Sequence, residues 1–187
     1  MRRYCLFDTE LGAFGIAWGE AGLARLQLPE RDRARTERRL RARFAKLESF
    51  APPPPVEAAI REIKRYLAGE KVDFSPIGLD LTGADPFQVQ VYEAARRIGW
   101  GQITTYGELA SRIGAPREAR EVGQALGRNP VAVIVPCHRV LAKGMKIGGF
   151  SAYGGALTKR HLLALEGVRL DDDIPFLPGL LPDRRMR

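Results

Sequence analysis

The sequence predicts an α/β N-terminal domain, a small antiparallel sheet with helices, followed by a mainly helical, winged-helix-like C-terminal domain with a helix-turn-helix. Three observations predict it. Short apolar stretches separated by acidic and glycine-containing turns fill residues 4–28, apolar stripes at helical spacing follow, and after Pro86 glycines and prolines cut the chain into short helical segments. A chain of 187 residues has room for two cores. The expected divisions are residues 1–85, residues 86–170 and a tail, 171–187.

In the first domain, Tyr4-Cys5-Leu6-Phe7, Phe14-Gly15-Ile16-Ala17-Trp18 and Leu23-Ala24-Arg25-Leu26 read as three strands. From Glu30 to Phe50 an Arg-rich run places Leu40, Phe44 and Leu47 at i, i+4 and i+7, which predicts a helix with one apolar stripe. Its arginines alternate with Glu30, Asp32 and Glu37 and read as a solvated face. Pro52 to Pro55 predicts a stiff extended connector, and Val56 to Leu67 a second helix that Gly69 stops. Leu79, Leu81 and the turn-forming Gly83 lead to the boundary at Pro86.

In the second domain, Phe87-Gln88-Val89-Gln90-Val91-Tyr92 opens a helix expected to run to about Ile98. Thr104-Thr105 caps a second helix through Glu108, Leu109 and Ile113. Gly114 and Pro116 occupy the C′ and N1 positions of a turn of about three residues, and a third helix spans Arg117 to Arg128 until Asn129-Pro130 stops it. Two short helices so joined read as a helix-turn-helix. The third helix sets Ala119, Gly123 and Leu126 on one face beside Arg120 and Arg128, and Gly123 costs roughly 1 kcal/mol against Ala, so a close neighbour is expected there. Another helix or the floor of a nucleic-acid groove would each serve.

Charge and cysteine usage narrow the function. Residues 86–170 carry 12 Lys and Arg against 5 Asp and Glu, a net +7; residues 1–85 carry 15 against 13, a net +2; the tail carries 3 against 4. The excess therefore lies in one segment and suggests a polyanionic partner there. Cys5 and Cys137 are too few for a disulfide framework and fit a reducing compartment. No stretch approaches the roughly 20 apolar residues that span a bilayer, and Asp8 and Glu10 follow the N-terminal basic residues where a signal peptide would be apolar. A cytoplasmic protein with no membrane association is expected.

Val131 to Val135 is a continuous apolar run between Pro130 and Pro136 and reads as a buried extended segment leading to Cys137. A buried cysteine is most often inert packing. Here His138 and Arg139 follow at once, and a cationic neighbour or a helix N-terminus lowers a thiol's pKa. Thiol proteolysis and redox sensing remain open on that ground alone.

The whole block is more specific than its parts. Asn129-Pro130-Val131, Val135-Pro136-Cys137-His138-Arg139-Val140, the loop Gly148-Gly149-Phe150-Ser151, and Lys159 to Leu165-Glu166-Gly167 together resemble the O6-alkylguanine-DNA alkyltransferase family over residues 86–168. Residues 1–85 match in general layout. The resemblance implies that Cys137 accepts the alkyl group, that His138 relays its proton, usually through a water, and that Glu166 fixes the imidazole. It implies that Asn129 holds the turn presenting the cysteine, that Tyr106 rotates the target phosphate and protonates the departing guanine, and that Arg120 fills the vacated stack. Val140 would offer its carbonyl to the base, Ser151 would line the pocket, and Gln88 would start a helix near the phosphate backbone, with Tyr92 where a Trp is common. Ala119, Gly123, Leu126 and Arg128 complete the expected DNA face. Ala152-Tyr153 lie where loop length varies in the family, which bears on the room for large alkyl groups.

The chemistry suits these residue types. Displacing guanine from an alkyl carbon suits a polarisable thiolate and gains from protonating the purine as it leaves. The thioether product presents no acyl carbon to water, so the action is stoichiometric and irreversible. The partner implied is double-stranded DNA carrying O6-alkylguanine, with O4-alkylthymine as a second candidate, and the base must leave the stack to react. A monomer is expected. Some family members bind zinc in the first domain, but residues 1–85 hold no His and only Cys5, so no metal and no cofactor are expected. Cys5 reads as strand packing and His161 as surface or packing. The leading rival, an alkyltransferase-like lesion-binding protein, has another residue at the acceptor position, against which Cys137 argues directly. A helix-turn-helix regulator leaves the Pro136–Arg139 block unexplained. The tail, with mixed charge and three prolines, reads as extended or disordered.

Overall fold

The computed structural model describes residues 1–170, so the expectation for the tail lies outside the described residues. Strands β1 (Arg3–Thr9), β2 (Gly12–Gly19) and β3 (Gly22–Gln27) form an antiparallel meander. A two-residue strand β4 (Glu48–Ser49) adds to β1 in parallel, giving the order β3-β2-β1-β4. The alternation along β2 explains its central place: Ala13, Gly15 and Ala17 point one way and Phe14, Ile16 and Trp18 the other. The small face receives helix α1 (Arg33–Arg41) so closely that a Cβ on Gly15 would lie 2.9 Å from Leu40 Cδ2. The large face builds the main core with Phe7, Leu26, Ile63 and Tyr66.

Two expectations in this half are corrected. The Arg-rich helix ends at Arg41, and Phe44 and Leu47 reach the Leu40 and Tyr4 cluster from irregular chain that leads into β4. Helical spacing of three apolar residues was satisfied by packing against one patch, without helical backbone. Pro54 and Pro55 are not connector but the first turn of α2 (Pro54–Leu67), where a missing amide hydrogen costs nothing. Gly22, at φ +126°, sits where a Cβ would lie 2.5 Å from the Gly78 carbonyl oxygen, and Leu23 exchanges backbone hydrogen bonds with Gly78 and Asp80.

Helix α3 (Pro86–Arg96) starts with a capping box between Asp85 and Gln88. Strand β5 (Thr104–Thr105) runs directly into α4 (Tyr106–Arg112), capped by Thr105 with Glu108 reaching back. Helix α5 (Ala119–Gly127) starts two residues later than expected. Residues 115–118 form a separate turn, with the Glu118 amide on the Ala115 carbonyl, so the connection is longer than three residues and Pro116 is not at N1. Helices α3, α4 and α5 enclose a second core around Val91, Leu109, Val122 and Leu126. Strand β6 (Val140–Leu141) pairs in parallel with β5, and helix α6 (Ala156–Leu165) closes the chain's described part. Val131, Val133, Ile134 and Leu162 pack into the first core, so the segment carrying Cys137 is wedged between the two cores. Among the described residues no helix is long and apolar enough to cross a membrane.

Candidate active site

The segment before Cys137 is buried, as expected, but it is not a straight extended run. Residues 129–131 lie along β3, with the Leu26 amide on the Pro130 carbonyl, and the chain then turns back so that the Val135 amide reaches the Val131 carbonyl at 2.9 Å. Val133 takes φ +75°, a left-handed conformation that a β-branched residue adopts only when its surroundings impose it. Asn129 supplies the constraint: its Oδ1 accepts from the Val131 amide at 2.9 Å and its Nδ2 donates to the Val135 carbonyl at 2.8 Å. The same Nδ2 lies 3.3 Å from Cys137 Sγ. One side chain thus holds the turn and touches the sulfur.

Cys137 begins a single 3-10 turn, Cys137–Arg139, and is buried. Burial raises its thiol pKa, opposed by the Asn129 hydrogen bond, the charge of Lys159 and the backbone amides of the turn. His138, fully buried, has its Nε2 2.7 Å from Glu166 Oε1 and 3.1 Å from the Tyr66 hydroxyl, which itself donates to Glu166 Oε1 at 2.8 Å. With the carboxylate as acceptor, Nε2 carries the ring proton, and Nδ1 is left buried with no hydrogen-bond partner among the described residues. Burial pushes the imidazole pKa down despite Glu166, so the ring is neutral and Nδ1 is a bare acceptor beside the thiol's own residue.

Glu166 is the hub. Arg139 Nε and Nη2 donate to its two oxygens at 2.8 and 2.9 Å, and the Gly101 amide donates at 3.1 Å. Arg139 also donates to the Ile98 carbonyl. These partners, His138 and Arg139 hold the carboxyl at a pKa of about 2 against its burial. Lys159, fully buried on α6, donates to the Val140 carbonyl at 2.6 Å and sits 5.7 Å from the centre of the Tyr106 ring. Burial pushes its ammonium pKa down to about 8. The Tyr106 hydroxyl is pushed up by burial and by Cys137.

The structure therefore brings Cys137, His138, Glu166 and Asn129 into one place, with Tyr106 across Lys159 and Val140 from them. Ser151 lines the Cys137 cleft, about 140 Å³, together with Asn129 and Phe150, and its backbone carbonyl accepts from Arg39 Nη2 at 2.9 Å. A larger cavity of about 370 Å³, between Phe74, Trp100 and Arg139, does not reach the sulfur. Val140's carbonyl is already engaged by Lys159, so a base would use its second lone pair. Arg120 is exposed at the start of α5, with Ala119 half-buried beside it, and Arg128 is exposed past its end. Leu126 is corrected: it is 3 % exposed in the second core and belongs to no outward face. Gly123 faces Tyr106, but a Cβ there would meet the ring at 3.8 Å, ordinary contact, so packing within the chain does not demand the glycine. Gln88's side chain accepts from the Asp85 amide as the capping partner. Sequence reasoning missed Tyr66, gave Lys159 no role, and read Arg139 only as a cation next to the thiol, whereas it pairs with Glu166; Tyr66 lies 100 residues from Glu166 in the chain. Among the described residues no group of three His, Cys, Asp or Glu is placed to hold a metal.

Residues 86–168 match the DNA binding domain of 6-O-methylguanine DNA methyltransferase, and residues 2–81 match that family's ribonuclease-like domain. The chain belongs to the 6-O-methylguanine DNA methyltransferase family. It is 37% identical over 177 residues to the methylated-DNA--protein-cysteine methyltransferase of Mycobacterium tuberculosis, covering 93% of this chain and 98% of that relative. It is 34% identical over 170 residues to the constitutive enzyme of that name from Bacillus subtilis, covering 90% and 97%. The fold is similar to Mycobacterium tuberculosis OGT in complex with DNA, with a TM-score of 0.72 at 36% identity over 88% of this chain and 92% of that one. The methyltransferase of the hyperthermophilic archaeon Pyrococcus kodakaraensis gives 0.67 at 26% identity over 90% and 100%. The two-domain fold of the family is therefore that of this chain.

Proposed function

We propose that this member of the family repairs O6-alkylguanine in double-stranded DNA by moving the alkyl group irreversibly onto Cys137. The observation that carries it is a buried thiol held by Asn129 on the residue just before a neutral imidazole whose Nε2 is tied to Glu166 and whose Nδ1 has no hydrogen-bond partner among the described residues. The thiol proton passes to Nδ1, directly or through a water, and the sulfur attacks the alkyl carbon. The electron pair of the broken carbon–oxygen bond returns to the purine, which takes up a proton from the Tyr106 hydroxyl and leaves as guanine. Asn129, Lys159 and the amides of the 3-10 turn stabilise the developing thiolate. The imidazolium that forms sits against the Glu166 carboxylate, which Arg139 and Tyr66 keep in place. Arg120 replaces the extruded nucleotide in the stack, and the positive second domain takes the phosphate backbone, with Gln88, Ala119, Gly123 and Arg128 at the contact. Val140 and Ser151 border the base. The protein acts as a cytoplasmic monomer without metal or cofactor. A lesion-binding reading without transfer conflicts with a thiol so placed.

The test is a mass spectrum after mixing with methylated duplex, followed by a peptide map. A gain of one methyl group on Cys137, abolished in Cys137→Ala and retained in Cys5→Ser, is the expected result. A methyl group on another residue, or none, overturns the proposal.

A further inference from the structure

Two arginines of the first domain have no role in the site just described, although the fold carries them to its edge. Arg25 on β3 and Arg43, just past α1, meet Arg128 from beyond α5 on a ridge between two clefts. One cleft contains Cys137; the other, about 210 Å³, opens beside Gln88 at the start of α3. Of the three, only Arg43 belongs to the run read from its alternating acids as a solvated face. In the fold the acids are taken elsewhere: Glu30 pairs with Arg39 at 2.9 Å, and Glu37 with Arg41 and the Tyr4 hydroxyl. Among the described residues no carboxylate lies within 4.0 Å of Arg25, Arg43 or Arg128, whereas Arg2, Arg33, Arg39, Arg65 and Arg139 each have at least one.

Arg25 is the most telling of the three. Its Nη2 donates to Gln27 Oε1 at 3.1 Å, its Nε is buried without a partner among the described residues, and burial together with the Arg43 and Arg39 cations pushes its pKa down to about 10. Gathering like charges and desolvating one of them costs stability, and nothing within the described chain offsets it. A phosphodiester matches the guanidinium fork, and a run of phosphates matches a row of guanidiniums. The ridge is also in the right place, since Arg128 is the chain neighbour of Asn129, which touches the acceptor sulfur.

We propose that Arg25, Arg43 and Arg128 form a phosphate track for the DNA strand whose alkylated base enters the Cys137 cleft, so that the ribonuclease-like domain helps hold the DNA. The track rests on the DNA-repair reading above and extends it to residues 1–85, which the charge distribution alone left out.

The experiment reads binding apart from chemistry, in a Cys137→Ala background, by fluorescence anisotropy of methylated and unmethylated duplex between 50 and 200 mM salt. Each phosphate contact contributes about 0.9 to the slope of log affinity against log salt, so losing one shrinks the change in Kd across this range roughly 3- to 4-fold. Arg43 is exposed and makes no ion pair among the described residues, so Arg43→Ala is expected to fold and to lose about one unit of slope equally on both duplexes, while Arg43→Lys keeps the slope. Arg61→Ala, on the exposed face of α2 and lining neither cleft, is the control. A slope for Arg43→Ala equal to that of Arg61→Ala overturns the track. So does a loss of affinity confined to the methylated duplex, which would place Arg43 on the base. Because no transfer step is read, absence of methyl transfer in the wild-type protein would defeat the functional reading and leave this result interpretable.

Discussion

Replacing Glu166 with Gln tests whether the buried network is held by charge or only by shape. The Glu166 side chain is fully buried and accepts five hydrogen bonds, three at Oε1 from Tyr66, His138 and Arg139, and two at Oε2 from Arg139 and Gly101. A Gln amide has one acceptor oxygen. Placed to keep the Oε1 set, it turns its NH₂ toward two donors; placed the other way, it faces three. The better orientation therefore still loses two of five hydrogen bonds and leaves the Arg139 guanidinium, 7 % exposed, without its counter-charge. Removing one partner of a buried ion pair costs about 3–5 kcal/mol, which in a chain of this size lowers Tm by roughly 6–20 °C. Tyr66→Phe removes one neutral donor and leaves four, so it should cost only about 1 kcal/mol. The pH dependence carries a definite sign. The Glu166 pKa is drawn from 4.5 to about 2, so its contribution is present above pH 4.5 and lost as pH falls toward 2. Thermal unfolding followed by circular dichroism at neutral and acid pH should show the gap between wild type and Glu166→Gln narrowing across that window. A Tm for Glu166→Gln within 3 °C of wild type at pH 7, or a gap that does not narrow in acid, refutes the reasoning.

Three further perturbations test the steps of the proposed reaction. Arg120→Ala should slow single-turnover repair of methylated duplex and leave reaction with the free base O6-benzylguanine little changed, because only the duplex needs its vacated stack filled; equal slowing of both would assign Arg120 a structural or catalytic part. Tyr106→Phe should slow both, since the leaving purine loses its proton donor in either case, and an unaffected free-base rate would remove that role. Lys159→Met removes the buried cation that draws the thiol pKa down, so the thiol pKa should rise further, transfer at pH 7 should slow, and the alkaline rise of the rate should move upward. The same variant should lack the gain in stability that wild type shows as pH rises from about 8 toward 10.5, where the folded protein binds fewer protons at Lys159 than the unfolded chain. A rate profile superimposable on wild type would exclude Lys159 from thiolate stabilisation.

What could be read from residues alone follows the physics of each signal. Short apolar stretches parted by acidic and glycine-containing turns made the three antiparallel strands legible, whereas the alternation of large and small side chains that buries both faces of β2 went unread. The cap of α4 was legible because Thr105 with Glu108 is a local pair, whereas the equally local Asp85–Gln88 box of α3 went unread. Spacing misled where a tertiary patch replaced a helix, as with Phe44 and Leu47, and an apolar run could not reveal that Val133 is forced to φ +75° by an Asn four residues earlier. Leu126 was placed on an outward face because periodicity gives a stripe without saying which side meets the core. Resemblance nominated Cys137, His138, Glu166 and Asn129, but the electrostatic frame around them was invisible. Tyr66 arrives from another domain, and Lys159 and Arg139 acquire meaning only once their burial is known.

That frame also bears on why a nucleophile that is used once does not spend itself beforehand. Cysteines activated at rest have their pKa lowered by a helix N-terminus or a resident cation. Here burial outweighs Asn129, Lys159 and the turn amides, so the thiol stays protonated, and burial likewise keeps His138 neutral. Moving the proton from sulfur to Nδ1 creates an ion pair between two groups that were both uncharged. Its imidazolium half gains from Glu166, and its thiolate half from Lys159 and Asn129. Each of those interactions strengthens as water leaves the cleft. A base seated against Cys137 displaces that water and presents the alkyl carbon in the same event. On the proposed mechanism, the substrate therefore completes the activation of the thiol it consumes, and the protein avoids holding an exposed thiolate between encounters.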